Sequence, residues 1–151
     1  MRQLIYIAAP LFSEAELSFN ANLKVALSEF FEVYLPQEDG QLLVKLLDQG
    51  VPLNFAKKSI FTYDMAAIEK ADILLIVMDG RTPDEGAAFE LGAAYTLGKK
   101  CIALQTDPRR LLPSGNNPML DCALSQTFCS RDDLMMWARA QSESSAPRRL
   151  I

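Results

Sequence analysis

Residues 73–78, Ile-Leu-Leu-Ile-Val-Met, form an apolar run with no polar alternation, closed by Asp79-Gly80. A strand with one wet face alternates polar and apolar side chains; an unbroken run must be covered on both faces. The central strand of a parallel sheet, sandwiched between helical layers, meets that requirement. The rest of the chain supplies the partners such a strand needs. Residues 4–9, 32–35, 101–105 and 124–128 read as further strands, the first two ended by Pro10 and Pro36. Between them lie helix patterns. One starts at Ser13, whose Ser-x-x-Glu spacing to Glu16 is a capping box. Others cover 42–47, 54–70, a segment opening near Asp84 and closing at Gly98, and 131–141. Residues 107–118, with three prolines, a glycine and two asparagines, read as a loop. Alternating strands and helices predict an α/β fold, a doubly wound flavodoxin- or Rossmann-like parallel sheet of about five strands.

The chain has 151 residues, which suits a single domain, expected over 1–141 with 142–151 as a tail. Half of the residues are apolar and the net charge is −4, with Lys and Arg in scattered pairs. That argues against a nucleic-acid partner, which demands clustered cations. Cys101, Cys122 and Cys129 show no CxxC spacing, so neither disulfides nor a zinc site is expected. The sequence contains no histidine, which removes Ser-His-Asp and Cys-His catalysis and any His-ligated metal. Acid–base or nucleophilic work falls to carboxylates, Tyr, Lys or Cys, and no metal or cofactor is expected. No apolar run approaches the ~18 residues of a membrane span, and the first residues lack a signal-peptide pattern. A cytoplasmic protein without membrane contact is expected.

Ligands of doubly wound sheets bind beyond the carboxyl ends of the strands. Those ends are acidic here. Asp79, Asp84 and Glu85 follow the central strand, and Glu90 comes a turn and a half into the next helix. Helix capping by itself accounts for Asp84 and Glu85. Glu90 shares a helical stripe with Ala87 and Ala94, small residues that mark close approach to the sheet, where a free carboxylate is costly. A partly buried Glu at a strand-end cleft is a catalytic candidate; a solvated helical Glu is the plainer alternative. Tyr6, in the first strand, is the hydroxyl able to hold it, or else a core tyrosine. Asp64 is either an exposed helical charge or a second acid facing the cleft. Asp72, before the central strand, reads as a strand-entry cap. The Asp79–Asp84 turn lacks a Gly-rich phosphate loop and a Walker lysine.

In order, these residues resemble the nucleoside 2-deoxyribosyltransferase family. The resemblance begins with Tyr-x-x-Ala-x-x-Phe at Tyr6, Ala9 and Phe12, and continues through Asp64, Ile68, Asp72 and Ile73. It centres on Asp79-Gly80 and then Asp-x-Gly-x-x-x-Glu-Leu-Gly from Asp84 through Glu90 to Gly92, and ends at Asn117-Pro118-Met119. The resemblance implies an enzyme of nucleotide salvage that moves 2-deoxyribose between purine or pyrimidine bases. Glu90 would be the nucleophile, Tyr6 its orienting partner and Asp64 the acid–base group at the base. Asp84 would hold sugar hydroxyls, Asp79, Phe12 and Gly86 would bind substrate beside it, and Gln37 would touch the base. Asn117 and Met119 would complete a neighbouring subunit's pocket, which implies a homo-oligomer, a dimer or higher. Nucleosides and nucleobases would be the small-molecule partners.

Two departures from the family stand out: Pro10-Leu11 in the first loop, and a tail ending Arg-Arg-Leu-Ile. Three rivals remain at this level. A 2′-deoxynucleoside 5′-monophosphate N-hydrolase shares the Glu-Leu-Gly helix but places Ser where this chain has Asp84, and grips phosphate with a Gly- and Arg-rich first loop. A phospho-receiver would need an acidic pair where this chain has Ala8 and Ala9. A non-catalytic module would bind nucleosides without turnover.

Overall fold

The computed structural model describes residues 2–110, 112 and 114–145. Five strands, β1 (Leu4–Ala8), β2 (Glu32–Tyr34), β3 (Ile73–Val77), β4 (Lys100–Leu104) and β5 (Gln126–Phe128), pair entirely in parallel in the order β2-β1-β3-β4-β5. The helices are α1 (Glu14–Leu27), α2 (Pro36–Asp39), α3 (Leu43–Asp48), α4 (Leu53–Lys70), α5 (Glu85–Thr96), α6 (Pro118–Asp121) and α7 (Arg131–Ser145). Among the described residues no helix is long and apolar enough to cross a membrane.

The unbroken apolar run is explained by two cores, one on each face of the sheet. Ile73, Leu75 and Val77 point to one side, with Leu23 and Leu27 of α1 and Leu134 and Ala138 of α7. Leu74, Ile76 and Met78 point to the other, against Ile68 of α4 and Leu91 and Ala94 of α5. No residue of β3 is more than 3% exposed. Truncating one of these side chains, as in Leu75→Ala, removes packing on a fully enclosed face and costs about 2–5 kcal/mol.

Local signals do their expected work at the element ends. Ser13 Oγ accepts from Glu16 N, while Glu16 Oε2 accepts from Ser13 N, closing the capping box. Asp72 Oδ2 accepts from Leu4 N at 2.8 Å, tying the entry of β3 to that of β1. Gly98 ends α5 with φ 71°, a left-handed conformation that glycine adopts without strain.

Strand ends shift by one or two residues from the sequence reading, and three helical features differ more. The last helix runs past 141 to Ser145, because the sequence there carries no breaker before Pro147. The remainder of the expected tail, 146–151, lies outside the described residues. Pro36, read as a strand stop, also opens the one-turn helix α2 at its first position, where a missing N–H costs nothing. Pro118 does the same in α6, inside the segment read as loop, with Asn117 as its cap.

The strand order reverses between β1 and β3, since the chain moves outward to β2 from one and to β4 from the other. Loops leaving the carboxyl ends of these two strands therefore diverge and leave a crevice. The turn at Asp79-Gly80 and the start of α5 face that crevice, and Tyr6 lies buried beneath it.

Candidate active site

Tyr6 lies in β1 with its side chain on the α4/α5 face, fully enclosed at 0% exposure. Its hydroxyl donates to Glu90 Oε1 at 2.7 Å. Glu90 is carried there by α5, whose Ala87, Leu91 and Ala94 are buried against the sheet. The small side chains on that stripe let the helix approach closely enough for a half-buried carboxyl to meet the strand. Burial raises the Glu90 carboxyl from its ordinary 4.5 to about 8; the Tyr6 donor opposes this, and the charges of Asp64 and Asp84 add to it. The Tyr6 hydroxyl is driven far above the ordinary phenol range, first by burial and then by the Glu90 charge. It therefore stays a donor at every working pH.

Asp64 projects from α4 and shares with Glu90 the wall of a cavity of about 280 Å³, alongside Ile60, Phe61, Ile68 and Phe89. The lining also includes Lys57. Burial raises the Asp64 carboxyl, opposed by a hydrogen bond from the Tyr34 hydroxyl at 3.2 Å. Two half-buried carboxyls thus face one largely apolar space, each held by a tyrosine.

Gly86 lines both this cavity and a second of about 560 Å³ at the ends of β1 and β3. The second cavity is walled by Phe12, Glu16, Asp79, Asp84 and Glu85, with no Lys or Arg among its lining residues. Asp84 caps α5, its Oδ2 accepting from Ala87 N at 2.9 Å. Asp79 accepts from Thr106 N at 2.6 Å, Thr106 Oγ1 at 2.5 Å and Asp107 N at 2.9 Å. These bonds lock the end of β3 to the loop after β4, across a turn that Gly80 makes at φ 108°. Phe12 is 79% exposed over this cavity.

The structure therefore brings together Tyr6, Glu90 and Asp64, and sets Asp84, Asp79, Phe12 and Gly86 beside them. Gln37, Asn117 and Met119 stand apart, lining neither cavity. The Gln37 carboxamide is bound to α1 on both sides, donating to Leu17 O at 2.9 Å and accepting from Asn20 Nδ2 at 3.0 Å. Asn117 Oδ1 accepts from Met119 N, and the Met119 side chain is 81% exposed.

Four residues at the site were not singled out from sequence. Tyr34, Gly40, Phe61 and Phe89 come together through long-range packing. The Phe61 and Phe89 rings meet at 5.8 Å across α4 and α5. The signal for Tyr34 was its place at the end of a predicted strand beside that of Tyr6. An aromatic residue in a strand reads equally well as core.

Fold and site together define a flavodoxin-like α/β enzyme with a carboxylate centre at the topological switch point. The sequence profile of Nucleoside 2-deoxyribosyltransferase matches residues 5–142, and the chain belongs to that family of enzymes acting on the N-glycosidic bonds of nucleosides. Among solved structures, it is similar to a conserved protein from Enterococcus faecalis V583 at 25% identity and TM-score 0.76, covering 93% of this chain and 99% of that one. A 2-deoxyribosyltransferase from the psychrotolerant bacterium Bacillus psychrosaccharolyticus aligns at 26% identity and TM-score 0.74, covering 92% and 95%. The 2-desoxiribosyltransferase from Leishmania mexicana, at 20% identity and TM-score 0.63 over 95% and 99%, shares the fold. No curated protein matches by sequence.

Proposed function

We propose that this enzyme transfers 2-deoxyribose between nucleobases by double displacement, with Glu90 as the nucleophile. The observation that carries the reading is the Tyr6–Glu90 contact of 2.7 Å, which sets Glu90 in the wall of a cavity shared with Asp64. In the first half-reaction a Glu90 carboxylate oxygen attacks the anomeric carbon. The N-glycosidic bond breaks, and its electron pair leaves with the base, which takes a proton from Asp64. A deoxyribosyl ester of Glu90 remains. In the second, a ring nitrogen of an incoming base attacks the same carbon and returns its proton to Asp64, and Glu90 leaves as carboxylate. No metal or cofactor enters either step.

The elevated Glu90 suits this work. A carboxylate stripped of water and raised to about 8 is more basic, and so a stronger nucleophile, than one in solvent. The Tyr6 hydroxyl orients it and stabilises its charged form when it leaves. Asp84, Asp79, Phe12 and Gly86 hold the sugar in the second cavity, and Gln37 contacts the base after rearranging its carboxamide. Asn117 and Met119, exposed and turned from this chain's own cavities, complete the site of a neighbouring copy in a homo-oligomer of two or more subunits. The chain works as a single domain that includes α7 to Ser145, and the enzyme works in the cytoplasm in nucleotide salvage.

The carboxylates of Glu16, Asp79, Asp84 and Glu85 around the second cavity favour nucleosides over 5′-monophosphates. A phosphate there would meet repulsion of several kcal/mol at an effective dielectric of roughly 20. The test is incubation with deoxyinosine and adenine while free hypoxanthine and deoxyadenosine are followed together. Transfer yields both. Hypoxanthine with free deoxyribose would replace transfer by hydrolysis, and neither product would leave a binding module.

A further inference from the structure

Parallel pairing of β1 with β2 sets Tyr6 directly across from Tyr34. Residues paired in this way leave the sheet on the same face. Their rings stack with centroids 5.2 Å apart and planes inclined by 16°. From this stack the two hydroxyls diverge to the two carboxyls, Tyr6 to Glu90 at 2.7 Å and Tyr34 to Asp64 at 3.2 Å. Among the described residues, the Tyr34 hydroxyl makes the one hydrogen bond to the Asp64 carboxyl. Gly40 crosses over the pair. A Cβ there would fall 3.1 Å from the Tyr34 hydroxyl, 3.2 Å from Asp64 Oδ1 and 2.6 Å from Pro36 O. With φ at −89°, this glycine is needed for the space it leaves and not for its backbone freedom.

We propose that Tyr34 is a positioning residue of the transfer reaction, its hydroxyl holding Asp64 in the cavity wall while its ring, stacked on Tyr6, fixes Asp64 relative to Glu90. The role assigned to Asp64 rests on the proposed function; the contact does not. A group that gives a proton to one base and takes it back from another works best when both of its forms are accessible. Burial favours the neutral form of Asp64, and the Tyr34 donor favours the anion. The charged or titratable groups around Asp64 are Glu90 from α5, Tyr6 from β1, Tyr34 from β2 and Lys57 from its own helix. Tyr34 itself is raised well above the phenol range by burial, then by the charge of Asp64, with smaller effects of Tyr63 and Asp39. It remains a donor wherever Asp64 titrates.

Tyr34→Phe separates ring from hydroxyl, because the stack on Tyr6 is retained. The full-length protein, labelled with carbon-13 at its aspartate and glutamate carboxyls, is titrated by NMR, with Asp64→Asn and Glu90→Gln assigning the two signals. In Tyr34→Phe the Asp64 midpoint should rise by about one pH unit while that of Glu90 moves by a few tenths. In base exchange, kcat should fall about tenfold with KM for the deoxynucleoside unchanged. An unmoved Asp64 midpoint in the folded variant overturns the proposal. So does equal movement of both midpoints, which would report a general loosening of the site. Absence of base exchange in the wild type would defeat the proposed function, while the titration would still decide the Tyr34–Asp64 contact.

Discussion

Removing the Tyr6 hydroxyl should move the acidic limb of the pH–rate profile upward. Tyr6→Phe keeps the ring, which is fully buried and stacked on Tyr34, so the packing of that face is retained. What is lost is one short hydrogen bond, 2.7 Å, to a partly buried carboxyl. Bonds of this charged kind are worth ~1.5–3 kcal/mol, and each 1.36 kcal/mol corresponds to about one pH unit in a titration. Glu90 already stands at about 8, with the Tyr6 bond the one effect holding it down. Without that bond its midpoint should rise by ~1–2 pH units. The anion is the attacking form, so kcat/KM at pH 7 should drop roughly tenfold to a hundredfold. The deficit should narrow above pH 9 as the variant's Glu90 ionises. The assay is the initial rate of base exchange between deoxyinosine and adenine from pH 5.5 to 9.5 on both proteins. A variant profile with the wild-type midpoint and a rate within twofold would refute the reasoning, because Tyr6 would then have no hold on Glu90.

The same burial sets a stability signature. The folded-state pKa of Glu90 lies above its ordinary 4.5, so its contribution is whole below that value and is lost as pH rises through about 8. Glu90→Gln should therefore match the wild type near pH 4.5 in urea denaturation and exceed it near pH 9, by something on the order of 2–4 kcal/mol; a constant difference across that range would contradict the shift. Asp84→Ser keeps an acceptor for Ala87 N, so the helix stays capped. It should slow deoxyadenosine turnover roughly tenfold and improve relative use of the 5′-monophosphate, and a wild type that already prefers the monophosphate would displace the nucleoside reading. Ribonucleosides should turn over far more slowly than deoxyribonucleosides, because the 2′-hydroxyl withdraws electrons from the oxocarbenium-like transition state; equal rates in a paired assay would count against the double displacement.

What the sequence made legible followed from short-range chemistry. The run at 73–78 had to be a doubly covered strand, and β3 is one. Ser13 and Glu16, three residues apart, could find each other without help from the fold. Glu90 stood out because the alanines flanking it on one helical stripe demand close packing. Tyr34 and Gly40 did not stand out. Their importance depends on the register that places Tyr34 opposite Tyr6, and on a loop so close that a Cβ at Gly40 would fall 3.2 Å from Asp64 Oδ1, neither of which is written in local spacing. Gln37 shows the converse. The family resemblance puts its carboxamide at the base, and α1 offers it partners at Leu17 and Asn20 that a linear reading cannot see. The short helices α2 and α6 were hidden because a proline that stops one element also starts the next.

The central claim is a covalent bond between Glu90 and deoxyribose, and intact-mass analysis tests it most directly. The full-length protein is mixed with deoxyinosine, with no acceptor base, quenched within the first turnovers and weighed. The account predicts one added deoxyribosyl group on the wild type, hypoxanthine released in equal amount, and a peptide map that places the addition on Glu90. Glu90→Ala, folded by circular dichroism, should carry no adduct and release no base. An adduct on another residue, or sustained base release by the Glu90→Ala variant, would contradict it.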